Sequence, residues 1–131
     1  MSDDNAEALV KYRMEQAQIA IEEAQLLQSA GKSALGVVNR AYYAMFYAVL
    51  ALLQQHDIAP RKHAGVISLF DSKFVKTDIF PKEYSKNLHQ AFKLHQISDY
   101  HPVEPISKDE AEELIRNAIE FVNGVNARIN E

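Results

Sequence analysis

The sequence contains no cysteine, which excludes disulfide frameworks, cysteine nucleophiles and zinc–thiolate sites. It has only four glycines and four prolines in 131 residues, so long stretches of chain lack the residues that usually interrupt secondary structure. There is no GxGxxG or P-loop phosphate motif, no HExxH motif, and no pair of histidines four residues apart. We therefore expect neither a cofactor nor a bound metal.

Long apolar runs and a secretory leader are also absent. No apolar run approaches the ~18 residues of a membrane span, and the acidic start Met1–Glu7 does not resemble a signal peptide. A net charge of −4 argues against a protein held on nucleic acid by net charge alone. The apolar share of 47% is typical of a globular chain, so we expect a soluble, cytoplasmic protein with no membrane association.

Apolar residues recur at spacings of three and four along the whole chain, which predicts an all-α fold. Gly31 should end the first helix, Ser33 should cap the second, and Ser107 with Glu110 forms a capping box for the last. The predicted helices cover residues 5–29, 33–56, 81–98 and the segment from Ser107 onward. A short helix between the second and the fourth carries Val66, Leu69, Phe70 and Phe74. Breaks are predicted at 57–60 and 100–105. The expected architecture is a single domain, residues 1–131, built as an antiparallel up-and-down bundle of about five helices.

The second predicted helix is apolar nearly all round, which places it at the centre of the fold, yet Arg40 lies near its start. Tyr43 and Tyr47 follow at i+3 and i+7, so they share a helix face with this arginine. A guanidinium at the edge of a core needs a carboxylate, a ring face or a phosphate as its partner. The alternatives are therefore a phosphate site or an ion pair with an acidic group on a neighbouring helix or across a dimer seam.

Positive charge is concentrated in the middle of the chain. Residues 54–95 carry 7 basic and 4 acidic side chains and four of the five histidines, whereas residues 96–131 carry 3 basic and 8 acidic ones. Such a segment can attract a phosphate-bearing partner, or it can be an ordinary solvated helix surface. The basic residues of this segment are Arg61, Lys62, Lys73, Lys76, Lys82, Lys86 and Lys93, with His63 beside the first two.

The segment Asn39–Ala48 (NRAYYAMFYA) resembles the signature helix of the HEPN superfamily in its small, single-domain prokaryotic form. Weaker similarities extend over roughly residues 5–128. They include Lys62–Val66 (KHAGV), Phe74–Thr77 (FVKT), Ser98–Tyr100 (SDY) and Glu110–Ile115 (EAEELI).

The resemblance implies an antiparallel helical bundle that pairs as a homodimer. Many HEPN domains are metal-independent endoribonucleases in which an Arg holds the scissile phosphate. A His, separated from this Arg by four to six intervening residues, assists proton transfer while the RNA 2′-OH attacks. Arg40 matches the motif Arg, whereas the position of the His is occupied by Tyr47. A phenol is a weak proton acceptor at neutral pH, so His95, or His89 two turns before it, is a candidate replacement.

The resemblance also implies binding residues and a partner. Asn39 and Tyr43 would line the RNA or nucleotide site, with Lys62 and His63 as further binding candidates. Many HEPN proteins act as toxins beside a minimal nucleotidyltransferase antitoxin, which in some pairs adenylylates a tyrosine. Tyr100, expected in an exposed loop, is the candidate acceptor here.

Three functions remain open from the sequence. The first is a toxin-like HEPN protein that binds RNA or nucleotide at a dimer cleft and cleaves RNA without a metal. The second is a non-catalytic HEPN module that serves as a nucleotide-binding, regulatory or protein-interaction subunit. The third is a purely structural helical bundle. The Tyr at position 47 favours the second, whereas Arg40 and the basic middle segment favour the first.

Overall fold

Residues with helical apolar spacing form helices in the computed structural model of the protein, which describes the backbone of residues 3–100 and 106–131. Side chains are described throughout these ranges except at positions 3, 63, 64 and 97–100. Within this part of the chain there are five α-helices, one π-helical turn and no strand, so the all-α prediction is confirmed. The α-helices are α1 (Asp3–Ser29), α2 (Ala34–Gln55), α3 (His63–Phe70), α4 (Lys82–Tyr100) and α5 (Lys108–Ile129), and the π-helical turn is Asp71–Val75.

Local capping signals fix several helix ends. Gly31 follows α1 with φ +68°, a left-handed conformation that suits glycine. The Ser33 hydroxyl accepts a hydrogen bond of 3.1 Å from the Leu35 N–H and so caps α2. At the start of α5, Glu110 N–H donates to Ser107 Oγ (3.1 Å) and Ser107 N–H donates to Glu110 Oε1 (3.0 Å). The predicted caps at Ser33 and Ser107 are therefore confirmed.

Two predicted boundaries are wrong. Phe74 lies in the π-helical turn and not on the third α-helix, which ends at Phe70. Helix α4 runs to Tyr100, so this residue ends a helix instead of opening a loop. A proline restricts only the residue directly before it, here His101, and leaves the backbone of Tyr100 free to stay helical. The rest of the predicted loop, 101–105, lies outside the described residues.

Helix α2 is the central element, as its composition predicts. It packs against α1, α4 and α5, and 11 of its residues are buried. The largest fully buried side chains of α2 are those of Tyr42, Met45, Leu52 and Leu53. Contrary to the sequence-based expectation, α2 is long and apolar enough to cross a bilayer, but the core helix of a folded bundle passes the same test.

An aromatic cluster joins the remaining elements at one side of α2. Phe70 lies 5.2 Å from Phe121 between ring centroids, and Tyr84 lies 5.3 Å from the same ring. The Tyr84 ring also packs directly on the backbone of α5 at Gly124, where a Cβ atom would collide with its hydroxyl. Burial and, secondarily, Glu120 raise the pKa of Tyr84. The absence of a side chain at Gly124 thus sets how closely α4 approaches α5.

Candidate functional site

Arg40 stands in the second turn of α2, at the edge of the core. Its Nη1 lies 3.2 Å from Oε1 of Glu23 on α1, and its Cζ lies 5.4 Å from the ring centroid of Tyr43. Its side chain is 33% exposed and that of Glu23 is 49% exposed. Of the partners expected from the sequence, a carboxylate and a ring face are therefore both present. An exposed ion pair of this kind contributes about 0–1 kcal/mol, so a phosphate can compete with it for the guanidinium.

Tyr43 links Arg40 to Tyr47 along one face of α2. The ring centroids of Tyr43 and Tyr47 are 5.9 Å apart, and both residues are half-buried. A tyrosine hydroxyl at position 47 can donate a hydrogen bond to a phosphate oxygen. Along the helix axis this face therefore offers, in order, a cation, an aromatic surface and a hydroxyl donor.

His95 reaches this end of α2 from α4. Its Nδ1 lies 2.6 Å from Oδ1 of Asn39, and its ring stacks on Tyr42 with centroids 4.5 Å apart and meets Tyr43 edge-on at 5.4 Å. Because an amide oxygen only accepts hydrogen bonds, Nδ1 carries the proton in this pair. In the neutral ring Nε2 is then the basic nitrogen, as general acid–base chemistry requires.

The ring of Tyr42 is the surface on which the His95 imidazole stacks. It is fully buried, and burial together with neighbouring Tyr43 raises its pKa far above the ordinary tyrosine value. Tyr42 therefore stays neutral at any physiological pH and acts as a packing surface for His95. Stacking on this ring and the hydrogen bond to Asn39 fix the imidazole from two directions.

The structure brings His95, and not His89, to the Arg40 end of α2. The Nε2 atom of His89 lies 2.6 Å from Oδ2 of Asp71 in the π-helical turn. Lys62 is exposed, and its side chain makes no hydrogen bond or ion pair within the described part of the protein. The side chains of His63 and Tyr100 lie outside the described residues.

Sequence reasoning identified Arg40, Asn39 and His95 but missed Glu23 as the partner of the arginine. The available signal was the position of Glu23 off the apolar stripe of α1, which does not specify what it faces across the bundle. Among the described residues, no group of three or more His, Asp or Glu side chains could hold a metal ion.

The chain is similar in sequence to several known proteins. A "UPF0332 protein" of Thermotoga maritima is 30% identical over 125 residues, which are 95% of this chain and 94% of that protein. The "Putative toxin MJ0142" of Methanocaldococcus jannaschii is 40% identical over 86 residues, 66% of this chain but only 58% of the relative. The "Putative toxin MJ0605" of the same organism is 35% identical over 94 residues, 72% of this chain and 69% of the relative.

The family comparison covers nearly the whole chain. The model of the HEPN domain matches residues 10–128, a span that includes Arg40, the helix that carries it, and His95. The resemblance seen in the α2 sequence is thereby confirmed, and the chain belongs to the HEPN domain family.

Proposed function

We propose that this chain is a toxin-like HEPN protein that binds RNA at the Arg40 site and cleaves it without a metal ion. The observation that carries the proposal is the hydrogen bond of 2.6 Å between His95 and Asn39. Because Asn39 directly precedes Arg40, this bond holds the imidazole in a fixed orientation at the Arg40 end of α2. The names of two relatives, each printed as "Putative toxin", support the toxin-like part of the proposal.

In the proposed reaction, the Arg40 guanidinium binds the scissile phosphate in place of Glu23. His95 Nε2 accepts the proton of the neighbouring ribose 2′-OH as that oxygen attacks phosphorus. The P–O5′ bond breaks, which leaves a 2′,3′-cyclic phosphate, and the departing 5′-oxygen takes up a proton from water to become a 5′-hydroxyl. The proton on His95 is then released to solvent. Tyr47 donates a hydrogen bond to a phosphate oxygen but exchanges no proton.

The test is cleavage of labelled RNA in EDTA by the unchanged protein and two variants. We expect slow cleavage by the unchanged protein, loss of cleavage in His95→Gln, and faster cleavage in Tyr47→His, which places a group that titrates near neutrality on the Arg40 face. Far-UV circular dichroism of each variant controls for folding. Cleavage by His95→Gln at the unchanged rate would contradict the role given to His95.

A second candidate function is a non-catalytic HEPN module that binds a nucleotide or another protein. Two observations favour it: Arg40 is already paired with Glu23, and Tyr47 occupies the position of the motif His. If the unchanged protein and Tyr47→His both bind RNA without cutting it, this second function replaces the first.

We further propose a homodimer whose seam follows α1. The apolar face of α2 is covered by the other helices, so the width of this face does not itself require a second copy of the chain. The large exposed apolar side chains of the described residues are instead on α1, and Tyr12, Ile19 and Leu26 repeat every seven residues. Ile19 and Leu26 flank Glu23, so a second copy on this stripe lies beside the Arg40 site.

We expect light scattering at micromolar concentration to give twice the 14.8 kDa mass of one chain. Leu26→Glu should give the monomer mass, because it places a charge on the most exposed apolar side chain of the seam. The matched control is Gln25→Glu, an exposed position one residue away on the same helix that should leave the dimer intact. A monomeric unchanged protein would contradict the dimer proposal.

The partner and location follow from the family resemblance. We propose a minimal nucleotidyltransferase as antitoxin, with Tyr100 as the residue it would modify, and we place the pair in the cytoplasm. The test is incubation of a minimal nucleotidyltransferase and labelled ATP with either the unchanged chain or Tyr100→Phe. Label retained by the variant would contradict the assignment.

A further inference from the structure

A groove of about 880 Å³ lies between α1 and α5. One wall is formed by α1 over residues 6–18 and the other by α5 over residues 122–130, and Gln55 at the end of α2 completes the lining. A volume of this size is typical of small-molecule sites. Gln55 lies about 22 Å beyond Arg40 along the axis of α2, so the groove is separate from the Arg40 site. We call it the α1–α5 groove.

Amide side chains line the groove, and several of their N–H groups are directed to acceptors of the protein itself. Gln55 Nε2 donates to the carbonyl oxygen of Ile129 (2.8 Å), and Asn130 Nδ2 donates to the carbonyl oxygen of Asn126 (2.9 Å). Gln18 Nε2 donates to a carboxylate on the next turn of α1 (3.3 Å). The amide oxygens of Gln18, Gln55 and Asn130 receive no hydrogen bond from the described part of the chain, so they remain as acceptors for a ligand.

Acceptors outnumber donors in the groove. Glu7 and Glu15 add two exposed carboxylates to the amide oxygens. The donors that remain within the described lining are the ammonium group of Lys11 and the side-chain amides of Asn123 and Asn126. Two carboxylates against one ammonium group leave the groove with a net negative charge. The carboxylate residues stand about 12 Å apart along the axis of α1, so they suit a ligand with more than one cationic group.

The apolar part of the groove is recessed. Val10 and Val122 are buried, and Met14 and Ile129 are half-buried. None of the large exposed apolar side chains of the described residues belongs to the lining. Stable protein interfaces have an apolar centre that a partner surface covers, whereas a narrow methylene chain can reach a recessed apolar floor. The shape therefore favours a thin, flexible ligand over a folded protein surface.

We propose that the α1–α5 groove binds a linear aliphatic polyamine. The ammonium groups of the ligand donate to the carboxylates of Glu7 and Glu15 and to the amide oxygens, while its methylene segments lie over the apolar floor. A phosphate-bearing ligand is disfavoured, because it would meet two carboxylates. Lys11, on its flexible stem, competes with the polyamine for the same carboxylates. The bound ligand contacts both α1 and α5 and so stabilises the folded protein. This inference does not depend on the proposed function.

The experiment is isothermal titration calorimetry of spermidine into the full chain in a low-salt buffer. We expect Glu7→Gln with Glu15→Gln to bind spermidine about tenfold more weakly, because two attractive charges are lost. Lys11→Gln should bind it about threefold more tightly, because a competing cation is removed. The matched control is Glu83→Gln with Glu113→Gln, which removes the same charge from the exposed surface between α4 and α5 and should leave the affinity unchanged.

Thermal unfolding gives a second readout and shows that each variant is folded. Spermidine should raise the melting temperature of the unchanged protein and of Arg40→Ala, but not that of the Glu7→Gln, Glu15→Gln variant. Equal spermidine affinity of this variant and the unchanged protein would overturn the inference, and so would an equal loss of affinity in the control variant. Tighter binding of trilysine than of spermidine would overturn the choice of a polyamine and favour a basic protein segment. None of these outcomes bears on RNA binding at Arg40.

Discussion

Replacement of Arg40 by alanine is expected to weaken RNA binding at the site by about 10- to 100-fold, which corresponds to about 1.5–3 kcal/mol for a charge-assisted hydrogen bond. Arg40→Lys should restore only part of the loss, because an ammonium group cannot hold two phosphate oxygens in a bidentate arrangement. The measurement is equilibrium binding of a short labelled RNA in EDTA, followed by cleavage with the same set of variants.

Glu23 provides the control for this result. If the carboxylate competes with phosphate for Arg40, Glu23→Gln should bind RNA at least as tightly as the unchanged protein. The pair is exposed, so both Arg40→Ala and Glu23→Gln should change the free energy of unfolding by less than about 1 kcal/mol. RNA cleavage that survives Arg40→Ala would place the chemistry elsewhere in the protein.

Truncation of Phe121 to alanine is expected to lower the free energy of unfolding by about 3–5 kcal/mol. The side chain is 1% exposed and contacts both Phe70 and Tyr84, so its removal leaves a cavity among rings from three elements. For a domain of ordinary stability this is a large fraction of the total. Urea unfolding followed by far-UV circular dichroism measures the change.

Phe121→Leu is the conservative partner variant. It keeps most of the apolar volume and should cost less than about 1.5 kcal/mol, so it stays measurable if the alanine variant does not fold. Equal stability of the alanine variant and the unchanged protein would mean that the aromatic cluster does not hold α4 against α5.

The parts of the fold that follow from neighbouring residues could be predicted. The caps at Ser33 and Ser107 depend on backbone groups two or three residues away, which the sequence displays directly. The π-helical turn could not be predicted, because Phe74 keeps an apolar spacing from Phe70 that an α-helix also satisfies. The prediction placed Tyr100 in the loop because it applied the conformational restriction imposed by Pro102 to two preceding residues instead of one.

In the candidate site, too, the features set by neighbouring residues could be predicted and those set by helix packing could not. Arg40, Tyr43 and Tyr47 lie on one helix, so their common face follows from residue spacing alone. The contacts of His95 with Asn39 and of Arg40 with Glu23 join residues 56 and 17 positions apart in the chain, and they depend on how the helices pack. The sequence could nominate His95 but could not choose between it and His89, and it gave no reason to single out Glu23.

The close approach at Gly124 also limits how this protein can diverge. Since a Cβ at position 124 collides with the Tyr84 ring, these two positions, one on each helix, cannot change independently. A lineage that acquires alanine or a larger residue at position 124 must first shorten the side chain at position 84 or let α4 move away from α5. The order of events is therefore constrained: either the tyrosine is replaced or the two helices separate before the glycine can be replaced.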